Sequence, residues 1–209
     1  MNKIINLAEQ SQEDQEFLAA AKKVKALAEE GQAQAQLRLG MLYASGKGVQ
    51  LNYTEAAQWF QKAADQHLAE AQSYLGWLYA NGYGVEQNDQ LAGIYYLKAA
   101  EQGLMKDQYM VGTMYRWGRY GVEVDLQNML DWYQRAAQQG YAPAQYALGQ
   151  LLNTGELISK NEPLAFQWLS LAIVNGSEPA KLALQELTNK MSSEQIEQAK
   201  QQMLLTMGA

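Results

Sequence analysis

Few residues of this chain are of the types that carry out acid–base or metal chemistry. His67 is the only histidine in 209 residues, and there is no cysteine. A catalytic histidine needs a partner that fixes its tautomer, and none is indicated for His67. The sequence therefore predicts no catalytic residue, no metal site and no cofactor. An enzyme remains an alternative only if the fold forms a cleft that the sequence does not reveal.

Two Gly-x-Gly turns, at Gly46 and Gly48 and at Gly82 and Gly84, contain residues of the kind that can surround a phosphate. A dinucleotide-binding loop follows a strand, however, whereas these turns follow helical patterns. We interpret them as turns that end helices. His67 occupies a position where later segments have a helix-ending glycine, so we expect a C-terminal cap with positive φ rather than a general base.

The charge and hydropathy patterns exclude two classes of partner. With 16 Lys and Arg against 22 Asp and Glu, the net charge is −6, which is unsuited to binding a nucleic acid. Every apolar run is interrupted well before the roughly 18 residues of a membrane span. The first residues, MNKIINLAEQSQEDQEF, lack the features of a signal peptide. We therefore expect a cytoplasmic monomer that does not insert into membranes.

Comparison of the chain with itself reveals four similar segments. The period is marked by Gly40, Gly76, Gly112 and Gly149, which are spaced 36, 36 and 37 residues apart. The one extra residue falls between Gly118 and Gly121, in a loop. Because stacked repeats tolerate insertions in loops, this spacing indicates a repeat architecture.

Each segment is predicted to form two helices, so the protein should be all-α. In the first segment Ala35, Leu39, Leu42 and Tyr43 recur on one helical face. A short polar residue precedes each second helix and is predicted to be its N-cap: Asn52, Asn88, Asp125 and Asn161. Opposed helices of one pair are expected to approach closely at Gly76 and Gly112.

The repeated pattern AxAQxxLGxLYxxGxGVxxNxxxAxxWxxKAAxQG, over residues 31–175, resembles the Sel-1-like repeat, a relative of the tetratricopeptide repeat. The resemblance implies a right-handed α-solenoid of antiparallel helix pairs that serves as a scaffold for other proteins. Two departures make the local loop geometry differ from the pattern: Leu157 replaces a loop glycine, and His67 replaces a terminal glycine.

The predicted organisation places caps at both ends of the repeats, since a terminal repeat would otherwise expose its stacking face. Residues 1–30 form a tail and capping helix, the repeats are 31–66, 67–102, 103–139 and 140–175, and 176–209 form a partial repeat and a second cap. In the first cap, Ala20 and Ala28 are in register with Ala56 and Ala64. In the second, Ser192 and Gln195 have the spacing of a capping box.

The remaining place for function is the face of each first helix that points away from its core. The predicted partner-binding residues are Leu37, Met41, Ser73, Trp77, Tyr109, Thr113, Arg116, Trp117, Tyr146, Gln150 and Asn153, with Ala44, Ser45, Ala80, Asn81 and Thr154 beside them. In tetratricopeptide-like folds this face lines the concave groove. Trp, Tyr and Arg are enriched at binding hot spots. Alternatively, Trp77 and Trp117 only pack against neighbouring helices or loops.

These observations favour a non-catalytic adaptor that binds a protein or an extended peptide. A narrower alternative is an immunity or antagonist protein, in which an acidic solenoid covers the active site of a basic toxin. The enzyme alternative requires a cleft with a perturbed acid or base.

Overall fold

The computed structural model describes residue 15 and residues 18–207, the last four by their backbone alone. Helices account for all regular structure in this part of the chain. Residues 18–29 form α1. The others are α2 (Ala33–Ser45), α3 (Tyr53–Asp65), α4 (Ala69–Asn81), α5 (Asp89–Glu101), α6 (Met105–Trp117), α7 (Leu126–Gln138), α8 (Ala142–Thr154), α9 (Glu162–Val174), α10 (Glu178–Thr188) and α11 (Ser193–Met207). The predicted all-α class is confirmed.

The chain divides into two compact units, Met1–Gln102 and Gly103–Ala209. In the first unit, α2 packs on α3, α3 on α4, and α4 on α5. In the second, α6, α7, α8, α9 and α10 pack consecutively, and α11 packs on α9. The predicted pairing of consecutive helices is therefore present in both units.

The second helix of each repeat begins at the predicted cap. The side chains of Asn52, Asn88, Asp125 and Asn161 all accept hydrogen bonds from backbone N–H groups in the first turn. The backbone N–H of the cap also reaches back to the preceding helix, as in the bond from Asn52 to the carbonyl oxygen of Tyr43 at 2.9 Å. Each cap thus starts one helix and closes the loop from the other.

His67 ends its helix as predicted. Its φ is 63°, in the left-handed region, and its N–H donates to the carbonyl oxygen of Ala64 at 2.9 Å. Gly103, at the equivalent position, has φ 96°. The loop glycine Gly84 is more constrained, because a Cβ there would overlap the backbone of Tyr53. Leu157 replaces it in the fourth repeat and does not have positive φ, so that loop follows a different path.

Helix pairs approach closely at the predicted glycines. A Cβ on Gly76 would lie 2.8 Å from the ring of Tyr96, and one on Gly112 would overlap the ring of Tyr133. Both glycines are buried. The expected close approach is confirmed. Because each of these glycines has no side chain, an aromatic ring of the neighbouring helix can pack directly against it.

A chain of amide hydrogen bonds connects successive helices. The buried Gln36 donates to the carbonyl oxygen of Ala28 at 3.2 Å and accepts from Gln66 at 2.8 Å. The arrangement recurs along the chain. The Gln72 side chain donates to the carbonyl oxygen of Ala64, and the Gln145 side chain donates to that of Ala137. Bonds equivalent to the one from Gln66 to Gln36 run from Gln102 to Gln72, from Gln139 to Gln108, and from Asn175 to Gln145. These bonds satisfy buried polar groups and fix the register of one helix against the next.

The N-terminal cap agrees with the predicted register at its end. Ala28 is buried against α2, and Gln36 bonds to it as Gln72 bonds to Ala64. Ala20, expected in register with the buried Ala56, is exposed, and Ala21 is buried instead. Among the described residues, no helix precedes α1 that could cover Ala20. Of the predicted tail and capping helix, residues 1–14, 16 and 17 lie outside the described residues.

The C-terminal cap begins with the predicted capping box. The Ser192 N–H donates to the Gln195 side chain at 2.8 Å, and the Gln195 N–H donates to Ser192 Oγ at 3.1 Å. Met191 and Ala199 are buried in one cluster with Leu187 of α10 and with residues of α9. The last helix therefore covers apolar surface of its unit.

Candidate protein-binding surface

In the second unit, α6 and α8 each present four predicted binding residues at the same helical positions. Tyr109, Thr113, Arg116 and Trp117 lie on α6, and Tyr146, Gln150, Asn153 and Thr154 lie on α8. Trp117 is 59% exposed, and none of the eight is fully buried. Trp117 and Thr154 are exposed, and the other six are partly buried, so each of the eight keeps some contact with solvent.

A cavity of about 320 Å³ brings several of these residues together. It is lined by Tyr109 and Arg116 from α6, by Tyr146, Ala147, Gln150, Leu151 and Thr154 from α8, and by Glu156 from the following loop. We call it the α6–α8 pocket. Its volume is at the lower end of the range of small-molecule sites.

Contacts with neighbouring helices hold the aromatic wall of the pocket. The ring of Tyr109 stacks on that of Tyr133 with centroids 5.2 Å apart. Thr113 donates to the carbonyl oxygen of Tyr109 at 3.0 Å and lies 3.2 Å from the Tyr133 hydroxyl. Burial and the nearby Tyr133 raise the pKa of Tyr109, so its hydroxyl remains protonated at neutral pH. Tyr109 therefore contributes an uncharged aromatic side chain to the pocket lining.

Arg116 is the cation of the pocket. Its guanidinium carbon lies 4.9 Å from the centre of the Trp117 ring, a cation–π contact. The Nε of Arg116 is buried, yet no described residue accepts a hydrogen bond from it. Nor does Arg116 form an ion pair within the described part of the chain, although Glu156 lines the same pocket. The positive charge of Arg116 is therefore not balanced by an ion pair with any described residue.

Glu156 was not among the predicted site residues. It follows the left-handed Gly155, as Lys47, Tyr83 and Arg119 follow the corresponding glycines of the other repeats. This position changes its chemistry from repeat to repeat while the glycine before it is kept. That variation was the signal in the sequence that could have identified it.

In the first unit, the predicted residue Trp77 belongs to an aromatic cluster. Its ring centroid is 6.2 Å from that of Tyr53 and 5.0 Å from that of Tyr83, and the two tyrosines are stacked at 5.1 Å. Trp77 is nevertheless 38% exposed. The packing alternative is thus correct for one face of Trp77, while the remaining surface is available to solvent.

The other predicted residues of this unit differ in exposure. Met41 is 41% exposed, and Ser73 is partly buried. Leu37 is buried in the cluster that contains Phe60 and Leu75, so its assignment to the binding face is wrong. The reason is that the core includes residues of both α3 and α4, which widens the buried stripe of α2 beyond the single face that helical periodicity defines.

The other candidate sites do not form reactive arrangements. His67 is an exposed helix-ending residue, as described above. Among the residues that the structure describes, no three His, Asp or Glu side chains are grouped so as to hold a metal ion. No helix within the described ranges is long and apolar enough to cross a membrane.

Comparison with known proteins identifies the family. The Sel1 repeat matches residues 33–68, 69–104, 106–141 and 142–177. Since these matches cover more than half of the chain, the protein belongs to the Sel1 repeat family, as the pattern indicated. A comparison with curated proteins finds no match.

Solved structures with the same fold include a Sel1 repeat protein from Oxalobacter formigenes, with a TM-score of 0.76 and 30% identity over 90% of this chain and 79% of the other. A second is c5321, a protective antigen present in uropathogenic Escherichia coli strains, with a TM-score of 0.76 and 27% identity, covering 88% of this chain and 43% of that one. A third, the immunity protein Pa5087 from Pseudomonas aeruginosa, has a TM-score of 0.53 and 24% identity over 78% of this chain and 60% of its own. This last likeness shows the fold alone.

Proposed function

We propose that the protein is a non-catalytic scaffold or adaptor that binds a protein or an extended peptide on the α6–α8 face of its second unit. The observation that carries this proposal is the pairing of Trp117, which is 59% exposed, with the Arg116 guanidinium at the edge of a pocket. A large exposed ring beside a partly desolvated cation is typical of binding hot spots. The Sel1 repeat family to which the chain belongs supports the same class of function.

The test is selection of a random peptide library on the purified full-length protein. Selection on the wild-type protein should enrich peptides. These peptides should bind the wild-type protein and should not bind the Trp117→Ala variant. Leu182→Ala is the matched control, because Leu182 is an apolar helical residue of the same unit with 62% exposure and lies outside the pocket. Enriched peptides that bind the Trp117→Ala and wild-type proteins equally would argue against this surface.

The narrower immunity alternative rests on the net charge of −6, which suits a basic partner. It requires one partner, bound tightly, whose toxic activity is blocked. Co-expression with a candidate toxin and a growth assay distinguishes this alternative from an adaptor with several partners.

The enzyme alternative is tested by screening the purified protein against broad substrate panels. Turnover that an α6–α8 pocket variant abolishes would replace the scaffold proposal with a catalytic one.

A further inference from the structure

We infer that the α6–α8 pocket recognises a side-chain carboxylate, an Asp or Glu of the bound partner, through Arg116. This inference rests on the proposed function and adds the chemistry of the ligand. Its basis is that Arg116 lines the pocket and forms no ion pair with any described residue. A carboxylate in the pocket supplies the anion that this guanidinium lacks.

The donors available in the pocket favour an anion over a neutral acceptor. A guanidinium offers N–H groups in a planar fork that matches the two oxygens of a carboxylate. The Trp117 ring contacts this guanidinium and leaves it less freedom to turn. Tyr146 accepts a hydrogen bond from Gln150 at 2.9 Å, which leaves its own O–H to donate. The pocket thus combines a cation with a neutral donor on the facing helix.

Glu156 limits the charge of the ligand. Its exposed carboxylate lines the same pocket and forms no ion pair with Arg116 in the described structure. The attraction by Arg116 and the repulsion by Glu156 both double for the dianion of a phosphate group, so together they give it no net gain over a monoanion, while the higher charge costs more to desolvate. These features select a carboxylate side chain rather than a phosphorylated residue.

The experiment titrates full-length protein with three small probes: the α-amides of N-acetyl-glutamate, N-acetyl-glutamine and N-acetyl-phosphoserine. The signal followed is the ¹⁵Nε–¹Hε resonance of Arg116, which is assigned by its loss in Arg116→Lys. The glutamate compound should shift this resonance saturably. The glutamine compound, which has the same shape without the charge, should bind at least about tenfold more weakly.

The variants separate a specific contact from general electrostatic attraction. Binding of the glutamate probe to Arg116→Lys, followed by calorimetry, should be about tenfold weaker, because lysine keeps the charge but lacks the planar fork. Arg119→Lys is the matched control, since Arg119 is an exposed arginine of the same unit outside the pocket. Glu156→Gln should strengthen binding by about threefold through loss of a like charge.

Four outcomes would overturn the inference: no shift with any probe, equal binding of the glutamine and glutamate compounds, tighter binding of the phosphoserine compound, or unchanged binding in Arg116→Lys. None of these measurements uses a partner protein or peptide. Carboxylate binding together with failure of the peptide selection would reject the proposed function and keep the pocket chemistry. Successful peptide selection without carboxylate binding would keep the proposed function and reject the inference about the pocket chemistry.

Discussion

The side-chain amide of Gln66 donates to the side-chain oxygen of Gln36 at 2.8 Å, across the two helices of the first repeat. Gln36 in turn donates to the backbone of Ala28 in α1. One amide therefore bridges three helices, and the same arrangement around Gln145 connects Ala137 with Asn175. Because Gln145 is 2% exposed, water cannot readily replace either bond.

Replacing Gln145 with leucine should lower the free energy of unfolding by about 1–3 kcal/mol, since it leaves the Asn175 side-chain amide without its partner and removes one of the donors to the Ala137 carbonyl, which keeps the Gly140 N–H. Urea denaturation followed by circular dichroism measures the change. Gln134→Leu is the control, because Gln134 is exposed on α7. Equal stability of the two variants would mean that these bonds contribute little.

Replacing Gly112 with leucine should destabilise the protein by about 1–3 kcal/mol or more, because the new side chain overlaps the Tyr133 ring. The melting temperature should fall. Ala26→Leu is the control, since Ala26 is exposed on α1. An unchanged melting temperature in the Gly112 variant would contradict the close helix contact.

Deletion of residues 191–209 should reduce solubility or cause self-association. The deletion removes Met191 and Ala199 and uncovers the cluster that contains Leu187. Size-exclusion chromatography with light scattering measures the molecular mass. A chain ending at residue 207 serves as the control, and a monomeric, equally stable truncated protein would show that the last helix is not a cap.

Trp117→Ala should cost about 2 kcal/mol or more of the affinity for a selected peptide and leave the helical content unchanged, because the side chain is mostly exposed. Leu39→Ala should instead cost about 2–5 kcal/mol of stability, because Leu39 is 0% exposed and its removal leaves a cavity. Affinity and melting temperature are measured for both. If Trp117→Ala unfolds as easily as Leu39→Ala, its role is packing.

Charge reversal gives a second readout at the same surface. Arg116→Glu should weaken and slow the binding of an acidic peptide, while Lys22→Glu on α1 should have little effect. Association rates of the acidic peptide with each variant, measured at two salt concentrations, distinguish the effect of Arg116→Glu from that of Lys22→Glu. Similar rates for both variants would exclude a local contribution of Arg116.

The stability of the wild-type protein should depend on the ionisation of Asp125. Hydrogen bonds from the backbone N–H and the side chain of Asn128, at 2.9 and 2.8 Å, lower the pKa of Asp125. The pKa of Asp125 is therefore lower in the folded than in the unfolded protein, so ionised Asp125 stabilises the folded state. This stabilisation is complete above the unfolded pKa and is lost as the pH falls through the folded pKa. Asp125→Asn should remove this contribution and keep the cap.

Thermal melts of wild type and Asp125→Asn, from neutral to acid pH, measure the effect. The advantage of wild type over the variant should shrink as the pH falls. Asp131→Asn, an exposed change on the same helix, controls for general charge effects. A difference that stays constant with pH would show that the Asn128 contacts do not depend on the charge of Asp125.

Local chemistry explains which features the sequence predicted. Asn52 and His67 act through backbone groups a few residues away, so their residue types and positions were enough to assign their roles. Leu37 was misassigned because helical periodicity describes one helix and not the number of neighbours that cover it. The surroundings of Arg116 and the position of Glu156 in the pocket depend on the packing of a helix against a loop. The spacing of residues along the chain does not encode this packing.

The residue after the glycine that ends the first helix is exposed in all four repeats, as Lys47, Tyr83, Arg119 and Glu156. The glycine ends the helix in the left-handed conformation, and a cation, an aromatic ring or an anion follows it in successive repeats. For protein engineering, Lys47, Arg119 and Glu156 are therefore surface positions where the side chain can be changed at little cost to folding, whereas Tyr83 stacks on Tyr53 and contacts Trp77.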